Sequence, residues 1–239
     1  MVAKRITRIL LNSAFALMVV GSASVAQAAL IGPLPYLSSA NSPFAPFLGF
    51  SYFHLEDFED HMFNTPGVTA SAGVVTRSIP GVAPFVDSVD GDSGPIDGSG
   101  LSGDSFFASN GAAGITFTFN AGILGALPDS AGIVWTDGFN PIRFEAFNAS
   151  GVSLGVLTGN HADGGFSGTT AEDRFYGVTN AGGISRIMIS NGTTSDSGIE
   201  VDHLQYGLHA SVSNVPEPSS LALIGIALVG FVAVRGRKA

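Results

Sequence analysis

The chain has 239 residues and no cysteine; 12% of its residues are charged, 45% are hydrophobic and 32 are glycine. The missing cysteines exclude disulfide scaffolds, thiolate metal centres and cysteine nucleophiles. Between Ala29 and Val215 four arginines (Arg77, Arg143, Arg174, Arg186) stand against 18 acids, a net charge of −14 that repels phosphate backbones and excludes nucleic-acid binding.

At the N-terminus, Lys4, Arg5 and Arg8 precede an apolar stretch from Ile9 to Val20, and Ala26-Gln27-Ala28 forms a small-x-small box. This order predicts a signal peptide over 1–28, cleaved so that the mature chain begins at Ala29. One body, 29–213, follows. Pro33, Pro35, Pro43 and Pro46 exclude regular helix over 30–49 and predict an extended lead-in or an edge strand.

Short β patterns then recur. In "GITFTFNAG" Ile115, Phe117 and Phe119 alternate with Thr116 and Thr118, as on a half-buried strand. "PIRFEAFNASGVSLGVL" predicts a hairpin turning at Asn148–Gly151, and "AGIVWTDG", "EDRFYGVTN", "GISRIMISNG" and "GIEVDHLQYGLH" predict further strands. No stretch of the body offers three turns of helical periodicity. The fold class is therefore all-β, a β-sandwich with jelly-roll topology or, as the alternative, an immunoglobulin-like one. Ala-Gly-Ile and Ala-Gly-Val recur before strands at irregular spacing, which disfavours a solenoid. Trp135, the single tryptophan, is expected in the core.

Candidate chemistry is sparse. "HLEDFEDH" gathers Glu56, Asp57, Glu59 and Asp60 between His54 and His61; it reads as an acidic solvated loop or as part of a cation site. The seven-residue separation of the two histidines matches no helical zinc motif. "DSVDGDSGPIDGSGLSGD" carries Asp87, Asp90, Asp92, Asp97 and Asp104 but fails as an EF-hand, with Gly94 at the fifth position and Leu101 at the twelfth. Glu200 and Asp202 share one face of a strand with Cα atoms roughly 6–7 Å apart, which suits either a carboxylate pair for glycoside hydrolysis or plain solvent-facing alternation. His203 is expected on the opposite face, beside Ile199 and Val201. No G-x-S-x-G elbow is present.

At the C-terminus Pro216 and Pro218 precede an uncharged run, Leu221–Val234, and then Arg235, Arg237 and Lys238. The run predicts a hydrophobic helix; counted from Ser219 it spans about 24 Å, short of a roughly 30 Å hydrocarbon core. The basic end is held on the cytoplasmic side while the body lies across the membrane. Val215-Pro216-Glu217-Pro218, the apolar run and the basic end (214–239) together resemble the PEP-CTERM sorting signal. The resemblance implies a Gram-negative source, export through the secretion translocon, a transient inner-membrane intermediate, and processing by an exosortase. Final placement would be the cell surface or extracellular matrix, often in makers of extracellular polysaccharide. No Leu-Pro-x-Thr-Gly precedes the run, and a glycolipid-anchor signal would end apolar.

The body resembles uncharacterised exported domains that begin near "LEDFED" and end near "IEVDHLQYG". Jelly-roll carbohydrate-binding modules often share a structural calcium between first-strand and last-strand acids; that likeness implies a calcium site at Glu56, Asp57, Glu59 and Asp202. The expected function is a non-catalytic binding or structural module associated with extracellular polysaccharide. The alternative is an exported glycan-active hydrolase using Glu200, Asp202 or Glu56.

Overall fold

The computed structural model describes residues 27–77, 86–89, 103–164, 172–192 and 197–211. The signal segment through Ala26, Asp90, Asp92 and Asp97 of the aspartate-rich loop, and the sorting tail with its predicted helix lie outside these residues. Among the described residues no helix is long and apolar enough to cross a membrane.

The strands are β1 (Ala29–Pro35), β2 (Phe50–Glu56), β3 (Val68–Ala70), β4 (Val74–Arg77), β5 (Asp104–Ala108) and β6 (Ile115–Phe119). After a short helix at Ala121–Leu124 come β7 (Ser130–Asp137), β8 (Ile142–Asn148), β9 (Ser153–Gly159), β10 (Arg174–Thr179), β11 (Ile184–Ser190) and β12 (Ile199–His209). The proline-rich lead-in supplies the edge strand β1, which pairs with β10 alone. Cleavage after Ala28 would leave all of β1 in the mature chain.

One antiparallel sheet runs β1-β10-β7-β12-β5-β4, and β2 continues the β5 side of β12 by pairing with Leu204–His209. The other runs β3-β6-β11-β8-β9. The pairings nest: β8 with β9, β7 with β10, β6 with β11, β5 with β12. That nesting, with strands passing between two sheets, is the connectivity of a jelly roll.

Side-chain alternation decides what each sheet buries. Ile115, Phe117 and Phe119 of β6 point inward while Thr116 and Thr118 point outward. Across the sandwich they meet Trp135, Tyr176 and Tyr206, and Trp135 is fully buried. The β8–β9 hairpin turns where Asn148 Oδ1 accepts from the N–H groups of Ser150 and Val152, both at 2.9 Å. Gly151 closes that turn at φ 76°, a conformation natural to glycine.

The outer face of the larger sheet is also covered. Residues 36–47 and 86–89 lie over it, where Tyr36, Phe44 and Val89 form a second apolar cluster with Val134 and Phe175 of the sheet. The central strands β7 and, up to Gly207, β12 are therefore buried throughout.

His203 departs from the alternating pattern. The β12–β7 register slips between Asp202 and Gln205, and His203 takes φ 46°. This bulge turns His203 to the outer face, where its ring meets Tyr36 edge-on at 5.4 Å, and Leu204 takes the core position instead. Placement beside Ile199 and Val201 is thus overturned, because one extra residue reverses the phase of a two-residue repeat.

Truncating Phe117 to alanine is expected to cost about 3–5 kcal/mol in chemical denaturation, whereas Leu48→Ala should stay within about 0.5 kcal/mol. The contrast follows from burial, since Phe117 is 0% exposed and Leu48 78% exposed.

Candidate functional site

The outward face of β12 carries Glu200 and Asp202, as alternation requires, but neither faces open water. Asp202 is fully buried and its oxygens are engaged: Oδ2 accepts from Val89 N at 2.9 Å and Ser88 Oγ at 3.1 Å, and Oδ1 from His203 N at 2.6 Å. It pins the 86–89 segment to the sheet. Beside it Ser42, Gln205, Tyr36 and His203 form a buried hydrogen-bond chain, with Gln205 Nε2 donating to Tyr36 Oη at 2.8 Å. These groups serve the packing of the outer layer.

The four acids expected to share calcium do not converge. Glu56 closes the 57–65 loop, accepting from Phe58 N at 3.2 Å and from Asn64 N and Thr65 N at 3.0 Å each. Asp57 accepts from Glu59 N at 3.2 Å. Only Glu59 and Asp202 approach one another, through Ser88. Glu56, Asp57 and Asp202 are turned toward backbone N–H donors. Among the described residues no three His, Asp or Glu side chains are arranged to hold a metal ion. His61 lies against Asp104.

A different pair of acids meets in a cleft at one pole of the sandwich. Asp137 ends β7, Glu200 lies one residue into β12, and the two are register partners. Directly opposed residues of antiparallel strands bring their Cβ atoms to about 4.5–5.5 Å. With Phe107, Gly138, Phe139, Ser197 and Gly198 they line a cleft of about 390 Å³. Phe107 can lie close over the β12 backbone because residue 198 is glycine; a Cβ there would stand 2.2 Å from its ring. Asp137 is 7% and Glu200 5% exposed.

The two acids are held differently. Glu200 Oε1 accepts from the Ser105 hydroxyl and from Asp87 N at 3.2 Å. Asp137 Oδ1 has no hydrogen-bond partner among the described residues, nor has Oε2 of the nearby, buried Glu172. Burial, then the charges of Asp137 and Asp87, push Glu200 up to about 8 despite the Ser105 hydroxyl. Burial and then Asp163 raise Asp137 to about 7, and burial with Asp163 and Asp137 raises Glu172 to about 8. His161, edge-on to Trp135, is pushed down to about 4 by burial and Arg174.

Sequence reasoning found Glu200 but gave it Asp202 as partner, and it missed Asp137 and Glu172. "GIVWTDG" marks Asp137 only as the end of a strand; its partner is set by register, which no local signal encodes.

Three raised carboxyls set a sign for stability against pH. The folded chain retains protons that the unfolded chain releases near ordinary carboxyl values. Their stabilisation is complete at low pH and disappears as pH climbs through about 7 to 8. His161 acts oppositely, but only up to its free value of 6.5. Calorimetry is expected to record a melting temperature that falls from about pH 6.5 to about pH 8.5, with a shallower fall in Glu200→Gln. A rising melting temperature there would contradict the assignment.

No curated protein matches the chain. Among solved structures, the K1 cleaved adhesin domain of Lys-gingipain from Porphyromonas gingivalis W83 aligns with 12% identity and TM-score 0.42, over 67% of this chain and all of that one. The enzymatically active domain of tailspike protein 4 from bacteriophage CBA120 aligns with 16% identity and TM-score 0.30, over 74% of this chain and 22% of that one. Residues 214–238 match the PEP-CTERM protein-sorting motif, which marks an exported protein sorted to the surface through processing by an exosortase at the membrane.

Proposed function

We propose that this protein is a surface or matrix β-sandwich module of a Gram-negative bacterium that binds extracellular polysaccharide. The sorting motif supports the destination. The binding role rests on one observation: a cleft open to solvent whose lining joins the acids Asp137 and Glu200 to the aromatic residues Phe107 and Phe139. Apolar walls with few, convergent polar groups are the usual make-up of a small-ligand site. Aromatic faces suit the C–H face of a sugar ring, and carboxylates accept from its hydroxyls.

In the route that follows from this reading, the translocon passes the body across the inner membrane. Leu221–Val234 then halts it, with Arg235, Arg237 and Lys238 on the cytoplasmic side. Exosortase processing in the Val215–Pro218 region releases the body.

A second reading, glycoside hydrolysis, is favoured by the same pair: two facing carboxyls with protonation shifted toward neutral are what an acid and a base or nucleophile require. In this reading Glu200 would work with Asp137, its register partner and neighbour in the cleft lining, in place of Asp202.

Immobilised neutral, anionic and amine-bearing polysaccharides separate the readings. Retention without soluble product is expected. Product release abolished by Glu200→Gln would establish hydrolysis instead, and absence of both retention and release would overturn the glycan role. Mass spectrometry of the protein recovered from its host is expected to find neither residues 1–28 nor the basic C-terminal end.

A further inference from the structure

The acid pair carries the polysaccharide reading further, to the chemistry of the sugar. Burying carboxylates side by side is costly unless a counter-charge or proton accompanies them. Here the charges that act on Glu200 come from Asp137 and Asp87, and the charge that acts on Asp137 comes from Asp163. The body has only four arginines, and three have other engagements. Arg143 binds Glu145 at 2.5 Å, Arg186 lies 3.9 Å over the Phe147 ring, and Arg174 donates to Asp173 O at 2.9 Å. The fourth, Arg77, ends β4 opposite Asp104.

One carboxylate at the cleft keeps an acceptor that the described residues leave unused. Asp137 lines the cleft, is more than nine-tenths buried, and its Oδ1 has no donor among the described residues. Glu200 faces it from the neighbouring strand, already oriented by Ser105 and Asp87. Such a site asks for a compact cation that brings several N–H or O–H donors and also has an apolar surface for the phenyl walls. A divalent ion satisfies the charge but not the aromatic lining, and among the described residues no three acids are arranged to hold one. A free ammonium on a pyranose ring satisfies both requirements, and a cleft of about 390 Å³ has room for a sugar ring.

We propose that the cleft between Phe107 and Phe139 binds an amino sugar with an unacetylated amine, its ammonium lying between Asp137 and Glu200. This rests on the polysaccharide-binding reading and adds the charge of the ligand. The amine donates to the Asp137 and Glu200 carboxylates, and the ring's C–H face lies against Phe107 or Phe139. Acetylation removes the charge and adds bulk where the carboxylates stand.

The test is calorimetric titration of the full-length chain in detergent with a glucosamine tetramer, its N-acetylated counterpart, tetralysine and calcium chloride. The glucosamine tetramer is expected to bind at least tenfold more tightly than the N-acetylated tetramer and tetralysine. Asp137→Asn and Glu200→Gln should each weaken it at least tenfold while leaving the melting temperature at pH 6 nearly unchanged. Phe139→Ala, at a half-buried rim position, should reproduce the loss without touching the buried acids. Equal affinity for the acetylated tetramer would overturn the ammonium assignment and leave glycan binding intact. Equal affinity for tetralysine would point to a basic protein partner and overturn it too. Calcium-dependent stabilisation lost in both acid variants would assign the pair to a metal. No binding of any tetramer, with retention on other glycans, would remove the cleft from the binding role altogether.

Discussion

The constraint on which this molecule turns is that β12 is covered on both faces. One face meets the sandwich core, and the other lies under residues 36–47 and 86–89. Once a central strand is enclosed, each polar side chain on its outer face must find a partner within the protein or carry the cost of lost hydration. Asp202 meets this demand with two backbone N–H groups and a hydroxyl, and in doing so attaches the covering segment. Gln205 meets it through Tyr36 and Ser42. The covering layer and the buried acids thus hold each other in place.

Against that background the pole of the sandwich stands out. Glu200 belongs to the same covered face and is positioned by the same segment, through Asp87 N. Its register partner Asp137 lies where β7 gives way to the 138–141 connection, and there the covering ends in a cleft. Enclosure raises both acids toward neutral values, mainly through desolvation and then through neighbouring carboxylates, Asp163 for Asp137 and Asp137 with Asp87 for Glu200. The difference between a structural acid and a candidate binding acid lies in the donors available to each: Asp202 has three, and one oxygen of Asp137 has none among the described residues.

The bulge at His203 links these two roles. A non-glycine residue at φ 46° is uncommon and persists only when its surroundings hold it. Here Leu204 is buried in the core while His203 bonds Tyr36 and packs against its ring. The extra residue lets β12 present Asp202 and then His203 outward in succession, so the strand ties down two covering segments at once. It also changes the strand's phase between the core contacts of Val201 and those of Leu204.

Local chemistry in the sequence determined the addresses at the two ends and the all-β class. Charge order and apolar runs act on their own stretch of chain, and Ile115-Thr116-Phe117-Thr118-Phe119 alternates whatever its neighbours do. The turn at Asn148–Gly151 was legible for the same reason. Tertiary structure alone decided which strands pair beyond the β8–β9 hairpin, that residues 36–47 and 86–89 cover the larger sheet, that His203 bulges outward, and that Asp137 is the residue facing Glu200. Those outcomes depend on register and burial between segments distant in the sequence, where the free energy lies in contacts that no local pattern specifies. The acids around Glu56 looked like a site because they are close in sequence. Asp137 and Glu200 became one because antiparallel pairing and a cleft brought two distant carboxyls together.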